Sequence, residues 1–169
     1  MAGAFSVATI LPGLDDLRPH LVRGGRLIGI DLGTTTIGLA LSDVEYRIAS
    51  ALRTIQRTKF RQDAEALRQA AAEFGVVGLV IGLPLNMDGS HGPRVQATRA
   101  FVRNLGPILP LPVAYWDERL STVAAERVLI AADLSRAKRG AVIDATAAAY
   151  ILQGALDRLA RPVDITQGP

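Results

Sequence analysis

The chain has 169 residues, 49% apolar and 21% charged, with a formal net charge of +3. That is the balance of a globular chain, long enough for one domain with a buried core. It has no cysteine and two histidines, His20 and His91, which excludes disulfides, thiolate-held zinc, iron–sulfur clusters and a thiol nucleophile. Any metal chemistry must therefore use carboxylates, which favour hard cations such as Mg²⁺ or Mn²⁺.

No Lys or Arg precedes Arg18, so Ala2–Leu14 lacks the positive segment of a secretory signal. No run approaches the ~18–20 apolar residues of a membrane span. A cytoplasmic location without a membrane partner is expected. Residues 1–25 contain Pro12, Gly13, Pro19, Gly24 and Gly25. They read as an N-terminal extension, ordered only where it docks on the body. Residues 26–160 read as one domain and 161–169 as a C-terminal tail.

The body begins with Arg26–Leu32, an apolar, β-favouring run. Ile37–Ser42 is a second run, joined by a Gly33–Thr36 link short enough for a hairpin. Ala49–Gln56 is expected as a third antiparallel strand. Thr58 is expected to cap a helix carrying Phe60, Ala64, Leu67, Ala71 and Phe74 at helical spacing, with Gly75 as its stop. Val76–Leu83 reads as a strand buried on both faces, typical of a parallel sheet centre. Pro93 marks the first turn of a helix to about Leu105, and Pro112–Trp116 is a further strand. Ser121 is expected to cap a helix to about Ala132, and a last helix to run from about Val142 to Ala160. The order β-β-β-α-β-α-β-α-α predicts an α/β fold: a mixed five-stranded sheet with helices on both faces.

Three acidic positions stand out within this order. Asp31 lies inside the apolar run Leu27–Leu32, where a carboxylate costs several kcal/mol unless cations or donors satisfy it. Asp117 and Glu118 follow a strand, and alternation points them to opposite faces, so one of them can share the face of Asp31. Asp144 is a lone charge among small apolar residues, on a helical face shared with Ala148, Ile151 and Ala155. Each has an ordinary structural alternative: a turn acid, a solvated strand end and a helix N-cap. Together they describe carboxylates from two strands and a C-terminal helix. Such a set can hold two divalent ions ~3.5–4 Å apart for in-line phosphodiester cleavage.

Lys59 and Lys138 are the only lysines; the remaining cations are arginines, the better fork for phosphate. Arg136, Lys138 and Arg139 precede Asp144 and are the best candidates for backbone contact in nucleic acid. Asn86, in the turn-rich stretch Leu85–Gly92, and Arg119, beside the acidic pair, are further substrate-binding candidates. Asp88-Gly89 reads as a tight turn. Tyr115 and Trp116 read as packing residues that alternate within a strand.

Four ordered segments resemble the YqgF (RuvX) family: Ile30-Asp31-Leu32-Gly33 with Ile37–Ala40 and Ser42-Asp43; Gly82–Gly89; Asp117–Thr122; and Lys138 through Asp144 to Ala148. The resemblance spans about residues 26–160. It implies an RNase H-like fold related to Holliday-junction resolvases, and metal-dependent phosphodiester hydrolysis in 5′-end maturation of pre-16S rRNA. It implies Asp31, Glu118 and Asp144 as the catalytic and metal-binding acids, preferring Glu118 to Asp117, with precursor rRNA as partner. Thr35 stands where many members have a basic residue, and Ala145 where many have lysine. Unlike the resolvases, Val76–Leu83 ends in Gly-Leu-Pro without an acid, so the second acid must come from the next strand. Two other functions compete: a non-catalytic nucleic-acid or ribosome-assembly module, and an actin-like ATPase suggested by Asp31-Leu32-Gly33-Thr34-Thr35. A monomer or weak homodimer is expected.

Overall fold

The computed structural model describes residues 10–120 and 136–163, with side chains throughout except at 136–143. Five strands, β1 (Arg26–Leu32), β2 (Thr36–Ser42), β3 (Ala49–Gln56), β4 (Val76–Leu83) and β5 (Val113–Asp117), form one sheet in the order β3-β2-β1-β4-β5. The first three strands form an antiparallel meander, whereas β4 and β5 join parallel to β1. The expected mixed sheet is therefore present. Helices α1 (Phe60–Phe74) and α2 (Pro93–Leu105) supply the crossovers, and α3 (Arg136–Leu159) follows β5.

Strand alternation sorts the core into two layers. Ile28, Ile30, Ile37, Leu39, Leu79 and Ile81 face one side, where Leu67, Ala71, Phe101 and Leu105 of α1 and α2 cover them. Leu27, Ala40, Val80 and Ala114 face the other, against Ala148, Ile151, Leu152 and Ala155 of α3. Covering both faces is what makes β1 and β4 continuous apolar runs rather than alternating ones. Each fully buried Leu or Ile contributes roughly 1.5–3 kcal/mol.

Two helix starts differ from expectation. The N-cap of α1 is Lys59 rather than Thr58. The Thr58 N–H instead donates to Asp63 Oδ1 at 3.1 Å, so a carboxylate one turn inside the helix reaches back over its start. Helix α3 begins at Arg136, not near Val142. Arg, Ala and Lys are strong helix formers, and Gly140 costs only about 1 kcal/mol, which the packing further along the helix offsets. Arg136, Lys138 and Arg139 thus lie on the first turns of the helix that carries Asp144, not on a loop before it. The expected helix from Ser121 to Ala132 lies outside the described residues.

Gly75 ends α1 in the left-handed region, φ 62°, with its N–H bonded to the Ala71 carbonyl. The described part of the N-terminal extension docks on the body. The Leu11 N–H donates to the Val113 carbonyl at 2.8 Å, Leu17 is fully buried on the α3 side, and Arg18 donates to the Leu159 and Arg161 carbonyls.

Candidate active site

Asp31 is the penultimate residue of β1, 6% exposed, on the α3 side of the sheet. It pairs with Gly38 on β2. On its other flank Ile30 pairs with Ile81, which brings Gly82 of β4 beside Asp31. The carboxylate therefore stands in a row across the sheet with a glycine on each side, at the ~4.8 Å strand spacing.

Both glycines lie under the other candidate acids. A methyl group at Gly38 would collide with the backbone carbonyl of Asp144, and would lie 2.9 Å from the Ala145 nitrogen. A methyl group at Gly82 would lie 2.6 Å from Glu118 Oε1 and 2.6 Å from Ile151 Cδ1. The missing side chains let α3 descend onto β2 and let the Glu118 carboxylate reach over β4. Gly29 extends this contact, since a side chain there would meet the Leu152 Cβ at 2.6 Å. Asp144, Ala148, Ile151 and Ala155 share the sheet-facing side of α3, and the last three are fully buried.

Asp117 and Glu118 separate as alternation requires. Asp117 lies on the opposite side and receives Arg119: Nη2 at 2.7 Å, Nε at 3.0 Å and the backbone N–H at 2.9 Å. Those bonds, led by the guanidinium, hold the Asp117 carboxyl below its ordinary range. Glu118 opens the short 3-10 turn Glu118–Leu120 and faces the row of Asp31. Asp144 accepts a short hydrogen bond from the Thr36 hydroxyl.

Asp31, Glu118 and Asp144 thus come from β1, from the turn after β5 and from α3, and all lie toward the edge formed by the carboxyl ends of the parallel strands. That edge is where open α/β sheets bind ligands. Among the described residues, no group of three or more His, Cys, Asp or Glu side chains is already gathered tightly enough to hold a metal ion. The chemistry of the donor set nevertheless fits a hard cation, since Asp31, Glu118 and Asp144 offer carboxylate oxygens only.

The expected substrate contacts separate into two groups. Asn86 and Arg119 belong to one assembly around the Leu85–Gly92 stretch. The Asn86 amide donates to Ser90 Oγ at 2.9 Å, and Arg119 Nη1 reaches the Met87 carbonyl at 3.4 Å. Asp88-Gly89 is a tight turn, with Gly89 at φ 84° and the Ser90 N–H on Asp88 Oδ1. For Arg136, Lys138 and Arg139 only the helical backbone is described. It places them between about one and two turns before Asp144. Tyr115 and Trp116 are packing residues: Arg99 lies 5.3 Å above the Tyr115 ring, and the Trp116 ring lies against Gly154.

Comparison with known proteins matches the chain to a family. The family described as "RuvX: Holliday junction resolvase" matches residues 25–158. The chain belongs to the RuvX family. Among its relatives, a protein of Cereibacter sphaeroides named "Putative pre-16S rRNA nuclease" is 63% identical over 146 residues, covering 86% of this chain and 91% of that one. A protein of the same name from Beijerinckia indica is 65% identical over 154 residues, covering 91% and 93%. A solved structure, "T. thermophilus RuvC in complex with Holliday junction substrate", superposes with a TM-score of 0.51 at 13% identity. It covers 80% of this chain and 96% of that one. That likeness establishes the RNase H-like fold.

In this RuvX chain, sequence reasoning passed over the residues that make room for the acids. Gly38 and Gly82 stood inside apolar strands, and a glycine there already signals close approach of another backbone or side chain. Thr36 ends the short link between the first two strands, and nothing local ties it to a residue 108 positions away. Ser42-Asp43, part of the first matching segment, is architectural. Ser42 Oγ accepts the Leu27 N–H at 2.8 Å, and Asp43 Oδ1 accepts the Arg47 and Ile48 N–H groups.

Proposed function

We propose that this RuvX-family chain is a divalent-cation-dependent nuclease that hydrolyses phosphodiester bonds in precursor 16S rRNA during 5′-end maturation, in the cytoplasm. The observation that carries the reading is the row Gly38–Asp31–Gly82, with Asp144 lying over one glycine and Glu118 over the other. The named relatives support the substrate.

Asp31, Glu118 and Asp144 would hold Mg²⁺ or Mn²⁺. A cation bound there supplies charge neutralisation at the phosphate and a lowered pKa for the attacking water. The protein's own part is positioning. Burial keeps Asp31 from wandering, the glycine cradles set the approach of the other two acids, and the Thr36 hydroxyl orients Asp144. Arg136, Lys138 and Arg139, on the helix leading to Asp144, are proposed to contact the RNA backbone. Arg119 and Asn86 are proposed to shape the loop that borders the substrate. Arg119 is occupied by Asp117, so its contribution runs through the position of Met87–Gly89.

The test is cleavage of an RNA spanning the 5′ maturation site with Mg²⁺ or Mn²⁺, beside a four-way DNA junction as competing substrate. Asp31→Asn and Asp144→Asn are expected to abolish RNA cleavage while leaving salt-dependent RNA binding intact. Undiminished cleavage by both variants would sink the assignment. Rescue of a depletion strain by variants that no longer cleave would favour a non-catalytic assembly module.

A further inference from the structure

We infer that Arg57, oriented by the buried carboxylate of Asp63, is a positioning residue that locks the β1–β2 turn and through it the Asp144 carboxylate; this rests on the reading of Asp31, Glu118 and Asp144 as the reacting acids. Arg57 follows β3 and grips the turn at two points. Its backbone N–H donates to the Thr35 carbonyl at 2.9 Å, and its Nη1 donates to the Gly33 carbonyl at 2.7 Å. Within the turn the Gly33 N–H donates to the Thr36 carbonyl at 2.9 Å. Thr36 then donates its hydroxyl to Asp144. Thr34 and Thr35 are exposed and add no packing to the turn. Hydrogen bonding from outside must therefore supply much of its order.

The guanidinium is itself held. Its Nε lies 3.9 Å from Asp63 Oδ2, and its plane sits 5.7 Å from the Phe101 ring centroid. The Asp63 side chain is only 2% exposed, against 30% for Arg57. A surface pair of this length would contribute little. Here the carboxylate is out of water, hydrogen-bonded by the Thr58 N–H and hydroxyl, and the arginine beside it supplies the compensating charge. The buried acid thus fixes the arginine, and the arginine fixes the turn. A second, longer contact, Arg94 Nη2 to the Leu32 carbonyl at 3.5 Å, supports the same segment from α2.

The rival role for Arg57 is direct contact with substrate phosphate, and the two roles differ in what they move. The experiment compares Arg57→Gln, Arg57→Lys and Asp63→Asn in the full chain. Asp63→Asn keeps an acceptor for Thr58 and removes the charge and the oxygen that face Arg57, so it tests the relay if Arg57→Gln proves unstable. Hydrogen exchange of the amides of residues 33–36, read without metal or RNA, should quicken about tenfold in Arg57→Gln and Asp63→Asn, and less in Arg57→Lys. Calorimetric Mn²⁺ affinity of the free protein should weaken about tenfold, and kcat should fall by a similar factor with KM unchanged. Outer-shell partners of metal ligands cost roughly 10–100-fold when removed. Unaltered exchange would overturn the inference. So would a raised KM and a flatter salt dependence with kcat intact, which would make Arg57 a phosphate ligand. If Asp31→Asn cleaves normally but exchange still quickens, the relay stands and the nuclease reading falls.

Discussion

Replacing Gly82 by alanine tests the geometry of the acids without removing any of them. The new methyl group would lie 2.6 Å from Glu118 Oε1 and from Ile151 Cδ1, about 0.8 Å short of ordinary contact at 3.4 Å. Ile151 is fully buried and cannot move freely. Overpacking of this kind costs about 1–3 kcal/mol, which corresponds to a fall in Tm of roughly 2–12 °C for a chain of this size. Glu118 is half-buried and ends in a flexible side chain, so it yields instead of clashing. A shift near 1 Å in a reacting group costs up to about 100-fold in rate. Adding Ile151→Val removes the Cδ1 that the methyl group strikes and leaves the Glu118 encounter in place. The double variant should therefore regain part of the lost stability and none of the lost rate. Urea denaturation and single-turnover RNA cleavage read the two effects separately. A wild-type rate in Gly82→Ala would refute the placement of Glu118 over β4. A rate that returned with Ile151→Val would show that movement of α3, not of Glu118, caused the loss.

Three further outcomes follow from the same contacts. Gly38→Ala should destabilise at or above the ~3 kcal/mol upper end of overpacking, because its methyl group meets α3 backbone at Asp144 and Ala145, which cannot rotate away; an unchanged urea midpoint would contradict the close approach. Thr36→Val removes the hydroxyl that bonds Asp144. At a part-buried position this should cost about 1 kcal/mol, together with a lower cleavage rate at unchanged RNA affinity. Asp117 titrates below the ordinary carboxylate range because Arg119 bonds its charged form. The unfolded chain then binds the extra proton, so this stabilisation is complete above the unfolded value near 3.9 and is lost as pH falls through the folded one. Asp117→Asn should flatten the acid limb of the stability profile, and an acid limb of unaltered slope would count against the pair.

Much of this molecule was legible along the chain because the signals are local. Apolar runs bounded by glycine and proline delimit β1 and β4, and helical spacing with Gly75 delimits α1. The order of elements restricts the sheet to a meander followed by parallel crossovers. Asp31 and Asp144 were conspicuous for the same reason, each a charge in apolar surroundings. The start of α3 was misplaced because one glycine among strong helix formers is a weak stop whose effect tertiary packing overrides.

Residue order alone settles the inventory: no thiolate ligand, one mixed sheet, and a few acids set where carboxylates are costly. Strand alternation required Asp117 and Glu118 to part, but could not say which faced Asp31. The tertiary structure decided that, by laying Glu118 over Gly82 and turning Asp117 to Arg119. It also decided how Asp144, distant in sequence, reaches β2 beside Asp31. The helix backbone descends onto Gly38, and the turn held by Arg57 offers the Thr36 hydroxyl. The Thr36 contact has no local signature, and a glycine at 38 signals a close approach without saying what approaches, because each depends on surfaces that only the packing of α3 on the sheet brings together.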